Sequence, residues 1–366
     1  MGRSRRSRAS RRVRGWVVTG LAVVGLAVAL VKQVVDEGLI AGAGWSDERL
    51  GTAQQRSAAF ATSLAACEES LPERDSPDHA VASWNLKWFP YGTAPERERA
   101  GRETDVRWMA CVMAHLQADV IAVQEVLNDA RGKAALKRLL AQLDELTSGR
   151  HKIVLDECSD RAQHVGFIYD SKRVSLLEHH VETSLNPSKQ ACGWRLRPGV
   201  SARFRFADAE GDVDEVELIV VHLDSGVTMR DHRNRLRSLE NLRELVAASE
   251  EPTLVIGDFN TMGSESASTQ ESSEQECKLL EERSGLVHLT PRFSCTHYYH
   301  GQAVELDHAL ATRSLAKTLQ VESLGPCAAR KCEKLGRAFS DYVHRVSDHC
   351  PLKVSFEHQA AAPSGH

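Results

Sequence analysis

Short apolar runs recur along this chain and are separated by polar, charged or turn residues, a pattern that predicts β-strands. The run at 216–222 alternates at first and then becomes fully apolar, as a strand does when it enters a core. The predicted strands are 80–85, 120–124, 165–169, 216–222, 252–257, 303–311 and 352–356.

Segments with helical spacing of apolar residues lie between these runs. Residues 132–146 place their leucines on a single stripe, and residues 230–248 repeat leucine at intervals of three. Residues 53–67 and 103–116 are further predicted helices, whereas 265–276, rich in Ser and Glu, is predicted to be a mobile surface loop. The many strands and irregularly placed helices favour an α+β sandwich of two sheets covered by helices.

Polar side chains with ligand or acid–base chemistry stand at the ends of several apolar runs. Asn85, Glu125, His222 and Asp258 each follow such a run. A strand end holds a side chain rigidly at the rim of the core, where water reaches it. One such residue usually does no more than end a strand, but several in one chain, with mixed oxygen and nitrogen ligands, indicate a shared site.

Together these segments resemble the endonuclease/exonuclease/phosphatase superfamily, and the resemblance runs from about residue 79 to 357. It implies a four-layer α/β/β/α sandwich of two mixed β-sheets flanked by helices, and a metal-dependent phosphoesterase. The segments that carry it are 83–87, 123–126, 221–226, 257–261 (with Gly-Asp-Phe-Asn) and 347–352 (Ser-Asp-His-Cys-Pro-Leu).

The resemblance implies a metal site built from oxygen ligands. Glu125 is the first carboxylate, Asn85 adds a neutral oxygen to the metal or to its water, and Asp348 supplies a second carboxylate. Mg²⁺ prefers one or two carboxylates, with water and substrate phosphate in the remaining positions. The predicted cofactor is therefore Mg²⁺, with Mn²⁺ or Ca²⁺ as alternatives.

The same resemblance implies catalytic roles for five residues. Asp258 activates the attacking water as its base, and Asn260 orients that water. His349 contacts the scissile phosphate as an imidazolium, and Asp307 orients the His349 ring. His222 protonates the leaving oxygen or binds phosphate.

Weaker signals suggest contacts with substrate. Tyr169 falls where the family often has a tyrosine near the phosphate, although it also fits a core residue at a strand end. Arg203 belongs to a basic strip with Arg195, Arg197 and Arg205, which is either a solvated surface or a phosphate contact. His297 and His300 are predicted to lie in a surface loop near the site; metal binding is the alternative.

Four segments are predicted: a basic N-terminus with a signal or anchor at 1–45, a helix and linker at 46–78, the catalytic domain at 79–357 and a disordered tail at 358–366. Formal net charge is -4, and residues 1–14 carry seven arginines and no acid, so the rest of the chain is more acidic. An acidic body does not suggest non-specific nucleic-acid binding, but a bound cation would supply positive charge at the site.

Residues 15–31 are uncharged and mostly apolar after the basic flank. This length fits either a short membrane anchor or a cleaved signal, and both place the body outside the cytoplasm. The predicted localisation is therefore extracytoplasmic: periplasmic, secreted or anchored with the N-terminus in the cytoplasm.

Nine cysteines favour an oxidising compartment. Cys350, beside a buried strand, is interpreted as a small core residue, which leaves an even set of eight. The local pairing expected first is Cys327 with Cys332. Cys158 with Cys192 and Cys277 with Cys295 follow, which leaves Cys67 and Cys111; zinc binding is the rival interpretation.

The predicted function is metal-dependent phosphodiester hydrolysis, with a tethered or exported nuclease as the first choice. A sphingomyelinase-type lipid phosphodiesterase and an inositol-phosphate phosphatase are the alternatives within this chemistry. A catalytically silent binding module is the alternative outside it. The expected partners are nucleic acid or another phosphodiester and, if the N-terminal segment is retained, the membrane; the protein is expected to be a monomer.

Overall fold

The structure is a computed structural model. It describes residues 47–73, 78–94, 103–156, 158, 163–188, 196–207, 213–265 and 270–356. The chain divides into units 1–50 and 51–366, and only residues 47–50 of the first unit are described.

The first of two large sheets holds the strands that carry Asn85 and Glu125. Its six strands are β1 (Ala80–Phe89), β2 (Val120–Val126), β3 (His151–Leu155), β4 (His164–Asp170), β15 (Leu319–Ser323) and β16 (Leu352–Phe356). Their order in space is β15-β16-β1-β2-β4-β3. β1 and β2 are parallel, and every other neighbouring pair is antiparallel, so the sheet is mixed.

The second sheet repeats this plan. Its six strands are β5 (Val174–Glu182), β6 (Gly199–Ala207), β7 (Val213–His222), β8 (Thr253–Asp258), β11 (Val287–Leu289) and β14 (Asp307–Ala311). Their order is β11-β14-β8-β7-β6-β5, with a parallel pair at β7 and β8. Two small ribbons complete the β structure: β9 (Ser264–Glu265) with β10 (Gln270–Glu271), and β12 (His297–Tyr299) with β13 (Gln302–Val304).

Helices cover the outer faces of both sheets. They are α1 (Asp47–Thr62), α2 (Leu64–Glu69), α3 (Val106–Leu116), α4 (Ala130–Thr147), α5 (Met229–Ala247), α6 (Ser273–Ser284), α7 (Pro326–Arg330) and α8 (Ser340–Arg345). Side-chain caps fix where the long helices begin: Asp105 accepts the Trp108 N–H before α3, and Thr228 forms a capping box with Asp231 at α5.

Three apolar layers hold the fold together. The middle layer fills the space between the sheets and includes Val81 and Phe167 from one and Phe204 and Leu218 from the other. The outer layers pack α3 and α4 on the first sheet and α5 and α6 on the second. Helix, sheet, sheet and helix are therefore stacked in that order, which confirms the predicted four-layer sandwich.

Several local predictions differ from the structure. The edge strand β5 and its neighbour β6 were not predicted; β5 is rich in exposed polar residues and shows no long apolar run. The predicted strand at 303–311 is two strands separated at Glu305. The predicted loop at 265–276 contains the ribbon strand β10 and the start of α6, where Ser272 and Gln275 form a capping box.

The cysteines form disulfides, as an oxidising compartment favours. Cys158 is disulfide-bonded, and Cys192, its predicted partner, lies outside the described residues. Three further bonds join Cys67 to Cys111, Cys295 to Cys332 and Cys327 to Cys350.

Two of the local pairings are wrong. Cys327 pairs with Cys350 and not with Cys332, so Cys350 is a disulfide partner and not a simple core residue. Cys332 bonds to Cys295. Cys277 is a free, half-buried thiol and not the partner of Cys295. Spacing along the chain misleads here because tertiary packing, and not local spacing, brings these cysteines together: the bonded pairs are 37 and 23 residues apart.

Within the part of the chain that the structure describes, every helix is too short or too polar to span a membrane. The predicted signal or anchor at 15–31 and the predicted tail at 358–366 lie outside the described residues. Both therefore stay predictions.

Candidate active site

The strand ends that carry polar residues meet at one edge of the two packed sheets. β1 and β2 run parallel, as do β7 and β8, so each pair delivers its carboxyl ends to the same edge. In the second sheet, His222 is in register with Asp258, and Asp258 with Asp307. Asn85 of the first sheet donates a hydrogen bond from Nδ2 to Asp258 Oδ2 at 3.0 Å, so the two sheets meet at this carboxylate.

Asp258 lies at the centre of the cluster and is 2% exposed. The backbone N–H of Asn260 donates to Asp258 Oδ1 at 2.9 Å. His222 Nε2 and His349 Nε2 lie 3.6 Å and 3.8 Å from Asp258 Oδ2. One carboxylate oxygen therefore faces an amide and two imidazoles, an arrangement that holds it in place for proton transfer.

His349 is held between two carboxylates. Its Nδ1 lies 2.8 Å from Asp307 Oδ2, opposite the contact to Asp258. Burial would lower the pKa of His349, but Asp307 and then Asp258 outweigh burial and raise this pKa to about 10. Burial and the charge of Asp307 raise the pKa of Asp258 to about 7. His349 is therefore an imidazolium at neutral pH, and Asp258 titrates close to neutrality.

Glu125 enters the site from an irregular stretch of the first sheet. Its φ is 60°, and φ is 50° at Lys87 and 51° at Trp88, where the pairing of β1 with β2 changes register. The Trp88 N–H donates to Glu125 Oε2 at 3.0 Å, and Lys87 N–H donates to Asn85 Oδ1 at 3.0 Å. Burial raises the pKa of Glu125. The backbone thus presents this carboxylate to the site at a conformational cost.

Asp348 lies beside a second histidine at the rim. Lys87 Nζ is 3.6 Å and His297 Nε2 is 4.0 Å from Asp348 Oδ2. Burial works in the opposite direction, but Lys87 and the neighbouring histidines hold the pKa of Asp348 below its ordinary value. The His297 ring lies 4.4 Å from the His349 ring, measured between centroids. His297 is buried, so its prediction as a surface-loop residue is wrong; His300 is exposed.

A glycine shapes the segment that carries Asp258 and Asn260. At Gly257, φ is 153°, and a Cβ would lie 2.1 Å from the Val221 carbonyl oxygen of the neighbouring strand. Only glycine permits this approach. Asn260 follows with φ of 51°, and its Nδ2 donates to the Leu223 carbonyl at 3.1 Å. The side-chain amide is therefore fixed by the strand end next to it.

Arg197 is a residue of the site that the sequence predicted only as a member of the basic strip. It is 8% exposed, and it donates to the carbonyls of His222 and Leu223 and to Gln163 Oε1. Burial, followed by the charge of Arg197, holds the pKa of His222 well below its ordinary value, so His222 is neutral. The interpretation of Arg197 as part of a solvated surface is wrong. The spacing of the strip arginines along the chain does not show that Arg197 is buried at the site while Arg203 and Arg205 pair with acids elsewhere.

Tyr169 lies away from the cluster. It is in register with Val120 at the start of β2, the end opposite Glu125. Its ring packs in the middle layer at 5.5 Å from Phe204. β4 is antiparallel to β2, so the carboxyl end of β4 points to the wrong edge of the sheet, and the prediction of a phosphate contact is corrected to a core role.

Arg203 also lies away from the cluster. It is in register with Glu217 near the start of β8, whereas the site lies at the end of β8. Its guanidinium forms ion pairs with three acids of neighbouring strands and loops: Glu178, Glu215 and Glu251. The predicted substrate contact is therefore corrected to a surface ion-pair network.

The residues present fit a hard divalent cation. Glu125, Asp258 and Asp348 crowd carboxylates around the two imidazoles, and Asn85 adds an amide oxygen. Asp307 Oδ1 and His222 Nδ1 are buried without a hydrogen-bond partner among the described residues. Such a surplus of oxygen ligands is what Mg²⁺-class ions bind in proteins.

Comparisons with solved structures agree with this architecture. A D. rerio TDP2 complexed with a single-strand DNA product is 15% identical, with a TM-score of 0.52, over 77% of this chain and 100% of that one. A beta toxin from Staphylococcus aureus is 16% identical, with a TM-score of 0.51, over 76% of this chain and 100% of the toxin chain. At these identities the similarity concerns the fold.

Among curated proteins, no sequence matches the chain. The family model described as Endonuclease/Exonuclease/phosphatase family, in contrast, matches residues 82–349, from the first site strand to His349. Since this match covers well over half of the residues, the chain belongs to the endonuclease/exonuclease/phosphatase family.

Proposed function

We propose that this protein is a Mg²⁺-dependent phosphodiesterase that cleaves nucleic acid outside the cytoplasm. The observation that carries the hydrolytic chemistry is the convergence of Asn85, Glu125, His222, Asp258 and His349 at one edge of the sandwich. The family of the chain supports phosphoester hydrolysis.

Asp258 acts as the base for the attacking water. Its carboxylate accepts hydrogen bonds from Asn85 Nδ2 and the Asn260 N–H, so it is fixed before substrate binds. The Asn260 Nδ2 is committed to a carbonyl, which leaves its amide oxygen to orient the water. Water attacks phosphorus, its proton passes to Asp258, the opposite P–O bond breaks, and the leaving oxygen takes a proton from solvent.

His349 supplies positive charge for the phosphate, and Arg197 acts on the neighbouring His222. The His349 imidazolium is held by Asp307 at 2.8 Å and faces the same space as Asp258, where it offsets charge that develops on phosphorus oxygens. Arg197 lies behind His222 and disfavours a second imidazolium there. Of the two roles predicted for His222, the neutral ring supports phosphate binding through an N–H.

Glu125, Asn85 and Asp348 would hold the metal. A divalent cation bound there lowers the negative charge of the phosphate and stabilises charge that develops in the transition state. The hard oxygen ligands favour Mg²⁺ over softer ions. Asp258→Asn is expected to lower kcat by about 10²–10⁴-fold without displacing the metal ligands, as loss of a general base does.

Two aromatic side chains at the site favour a nucleic acid as substrate. The Tyr299 ring is 64% exposed and stacks beside His297, whose own ring contacts His349. Trp88 is half-buried and donates its backbone N–H to Glu125. Exposed aromatic faces bind bases by stacking, independently of sequence. The fold neighbour from D. rerio was solved with single-strand DNA, which agrees with this choice.

A substrate panel tests the proposal. Plasmid DNA, single-stranded DNA, RNA and sphingomyelin vesicles are incubated with the protein in Mg²⁺, with EDTA and Asp258→Asn as controls. Cleavage of a nucleic acid that both controls abolish is expected. Hydrolysis of sphingomyelin with no cleavage of nucleic acid would replace the proposed substrate by the lipid alternative.

A variant of Tyr299 tests the stacking contact. Tyr299→Ala should raise KM for an oligonucleotide by about 5–150-fold, the equivalent of one lost base stack. Hydrolysis of bis(p-nitrophenyl) phosphate, which has no base, should be unchanged, and Tyr299→Phe should behave like the unmodified protein. An equal loss on both substrates would remove Tyr299 from base recognition.

The location proposed for the body is outside the cytoplasm. Its supports are the basic flank before residues 15–31 and the disulfides of the described residues. Protease added to intact spheroplasts should digest the body of the protein. Protection until the cells are lysed would place the protein in the cytoplasm.

A further inference from the structure

A second cluster of metal-ligating side chains lies behind the active site. His308 belongs to β14, His288 to the neighbouring edge strand β11, and Glu305 to the turn before β14. His288 Nε2 lies 3.0 Å from His308 Nδ1, and Glu305 Oε1 lies 3.8 Å from the same nitrogen. One ligand atom from each residue falls within 4.8 Å of the other two.

Thr261 fixes which nitrogen of His308 faces the cluster. The Thr261 hydroxyl donates its single hydrogen to the Glu305 carbonyl at 2.8 Å, so it accepts from His308 Nε2–H at 2.9 Å. The lone pair of a neutral His308 is therefore on Nδ1, directed at His288 Nε2 and Glu305. A hydrogen bond that orients a ligand histidine in this way is common around protein metal ions.

The charge state of the cluster suits a cation. Burial lowers the pKa of His308 and of His288, so both rings are neutral at physiological pH. Among the described residues, no side chain or backbone N–H donates to the Glu305 carboxylate, although burial raises its pKa to about 7. The half-buried Glu305 carboxylate, which lies beside the His308 Nδ1 lone pair, is therefore left without a hydrogen bond or a countercharge from the described residues.

We propose that His288 Nε2, His308 Nδ1 and the Glu305 carboxylate bind a second divalent ion of the Zn²⁺ class. Two histidines and one carboxylate are a ligand set that zinc takes, with a further position open to water. Ligand atoms on a tetrahedral ion at about 2.0–2.1 Å stand about 3.3 Å apart, close to the spacing of the two nitrogens. Cys277 Sγ lies 4.0 Å from the other nitrogen of His308, so it is not part of the set.

The site is joined covalently to the catalytic centre. His308 follows Asp307, which orients His349, and Thr261 follows Asn260, which contacts Asp258. The Thr261 hydroxyl ties these two segments together through His308 and Glu305. An ion at this place would brace both segments from the side opposite the substrate, a structural role separate from the proposed phosphodiester chemistry.

Metal counting tests the site. The full chain, purified without a polyhistidine tag, is stripped with a chelator, equilibrated with Zn²⁺ and analysed for bound metal by mass spectrometry. A Glu125→Gln background weakens the catalytic site, so the two sites are counted separately. His288→Gln in this background should lose one ion per chain. The control His180→Gln, at an exposed position of β5, should lose none.

Thermal unfolding gives a second readout on the same proteins. Zn²⁺ should raise Tm of the Glu125→Gln protein but leave Tm unchanged once His288→Gln is added, since only the folded site binds the ion. Equal zinc content and equal Tm shifts in the two proteins would overturn the proposal. If His288→Gln does not fold, anomalous scattering from Zn²⁺-soaked crystals of the unmodified chain decides: a peak between the three side chains supports the site, and its absence refutes it.

Discussion

Replacing Asp307 by Asn removes one charge from the His349 pair and changes little else. The two side chains lie 2.8 Å apart and are 1% and 8% exposed, so solvent screens their interaction very little. Asparagine has nearly the same shape, and its Oδ1 can still accept the hydrogen bond from His349 Nδ1. The substitution therefore tests the charge of Asp307 and not the packing around it.

The size of the effect follows from the geometry. A hydrogen bond to a charged group contributes about 1.5–3 kcal/mol, and one pKa unit corresponds to about 1.4 kcal/mol. The pKa of His349, which Asp307 and Asp258 raise to about 10, should thus fall by about one to two units. Loss of the imidazolium disfavours charge development on the phosphate, so activity should fall first on the alkaline side of the profile.

The effect of Asp307→Asn on stability should also depend on pH, through the same histidine. The pKa of His349 in the folded protein lies above its unfolded value of 6.5, so the pair contributes stability fully below pH 6.5. This contribution is lost as pH rises through about 10. Asp307→Asn should therefore lower Tm most in acid and neutral solution, and the difference from the unmodified protein should shrink above pH 10.

The assay is kcat/KM against pH for nucleic acid, together with Tm against pH. Asp119→Asn is a matched control, since Asp119 also lies in a buried carboxylate–histidine pair, at 3.0 Å from His79, but at the opposite edge of the first sheet. It should lower Tm without moving the alkaline limb of kcat/KM. An unshifted limb in Asp307→Asn, or additive losses when it is combined with His349→Ala, would show that Asp307 acts independently of His349.

Three further predictions concern the metal, the backbone and the disulfides. Glu125→Gln should abolish Mg²⁺-dependent turnover and leave Tm in EDTA nearly unchanged; full activity at low Mg²⁺ would remove Glu125 from the metal site. Gly257→Ala should lower the free energy of unfolding in urea by at least about 3 kcal/mol, because the new Cβ is strained and overlaps a carbonyl. Gly285→Ala, where the nearest neighbour of the Cβ lies at 3.7 Å, should lower it by about 1–2 kcal/mol, and equal losses would contradict the overlap. Reduction of the disulfides should lower Tm, since each bond contributes about 2–4 kcal/mol to stability. Because Cys277 is a free thiol, Cys277→Ser should not alter the decrease in Tm. An unchanged Tm on reduction would show that the bonds do not stabilise the fold.

The hydrophobic pattern predicted the site best where strands are parallel. Asn85 and Glu125 lie in the carboxyl-terminal halves of one parallel pair, and His222 and Asp258 end the other. The polar residues that follow these apolar runs therefore share an edge. The same rule failed at Tyr169, because β4 is antiparallel to β2 and its carboxyl end lies at the opposite edge. Strand direction follows from tertiary pairing, which a run of apolar residues does not encode.

Charged residues were the least predictable from sequence. Arg197 and Arg203 belong to one basic strip, yet the first is buried behind His222 and the second pairs with acids on the surface. The environments of the two arginines are set by partners such as Gln163 and Glu251, which are distant in sequence. The disulfide predictions failed for the same reason, since Cys327 bonds to Cys350, which follows α8 and is 23 residues away in sequence.

The position of β16 also constrains when the protein becomes active. β16 is the last described strand, yet it lies inside the first sheet between β15 and β1, and His349 stands just before it. Until this segment has been synthesised, β1 lacks one of its two neighbours and the cluster lacks its imidazolium. Such long-range closure is slow compared with local pairing. A complete site therefore requires both ends of residues 80–356, and any nascent or truncated chain that lacks this strand should be inert.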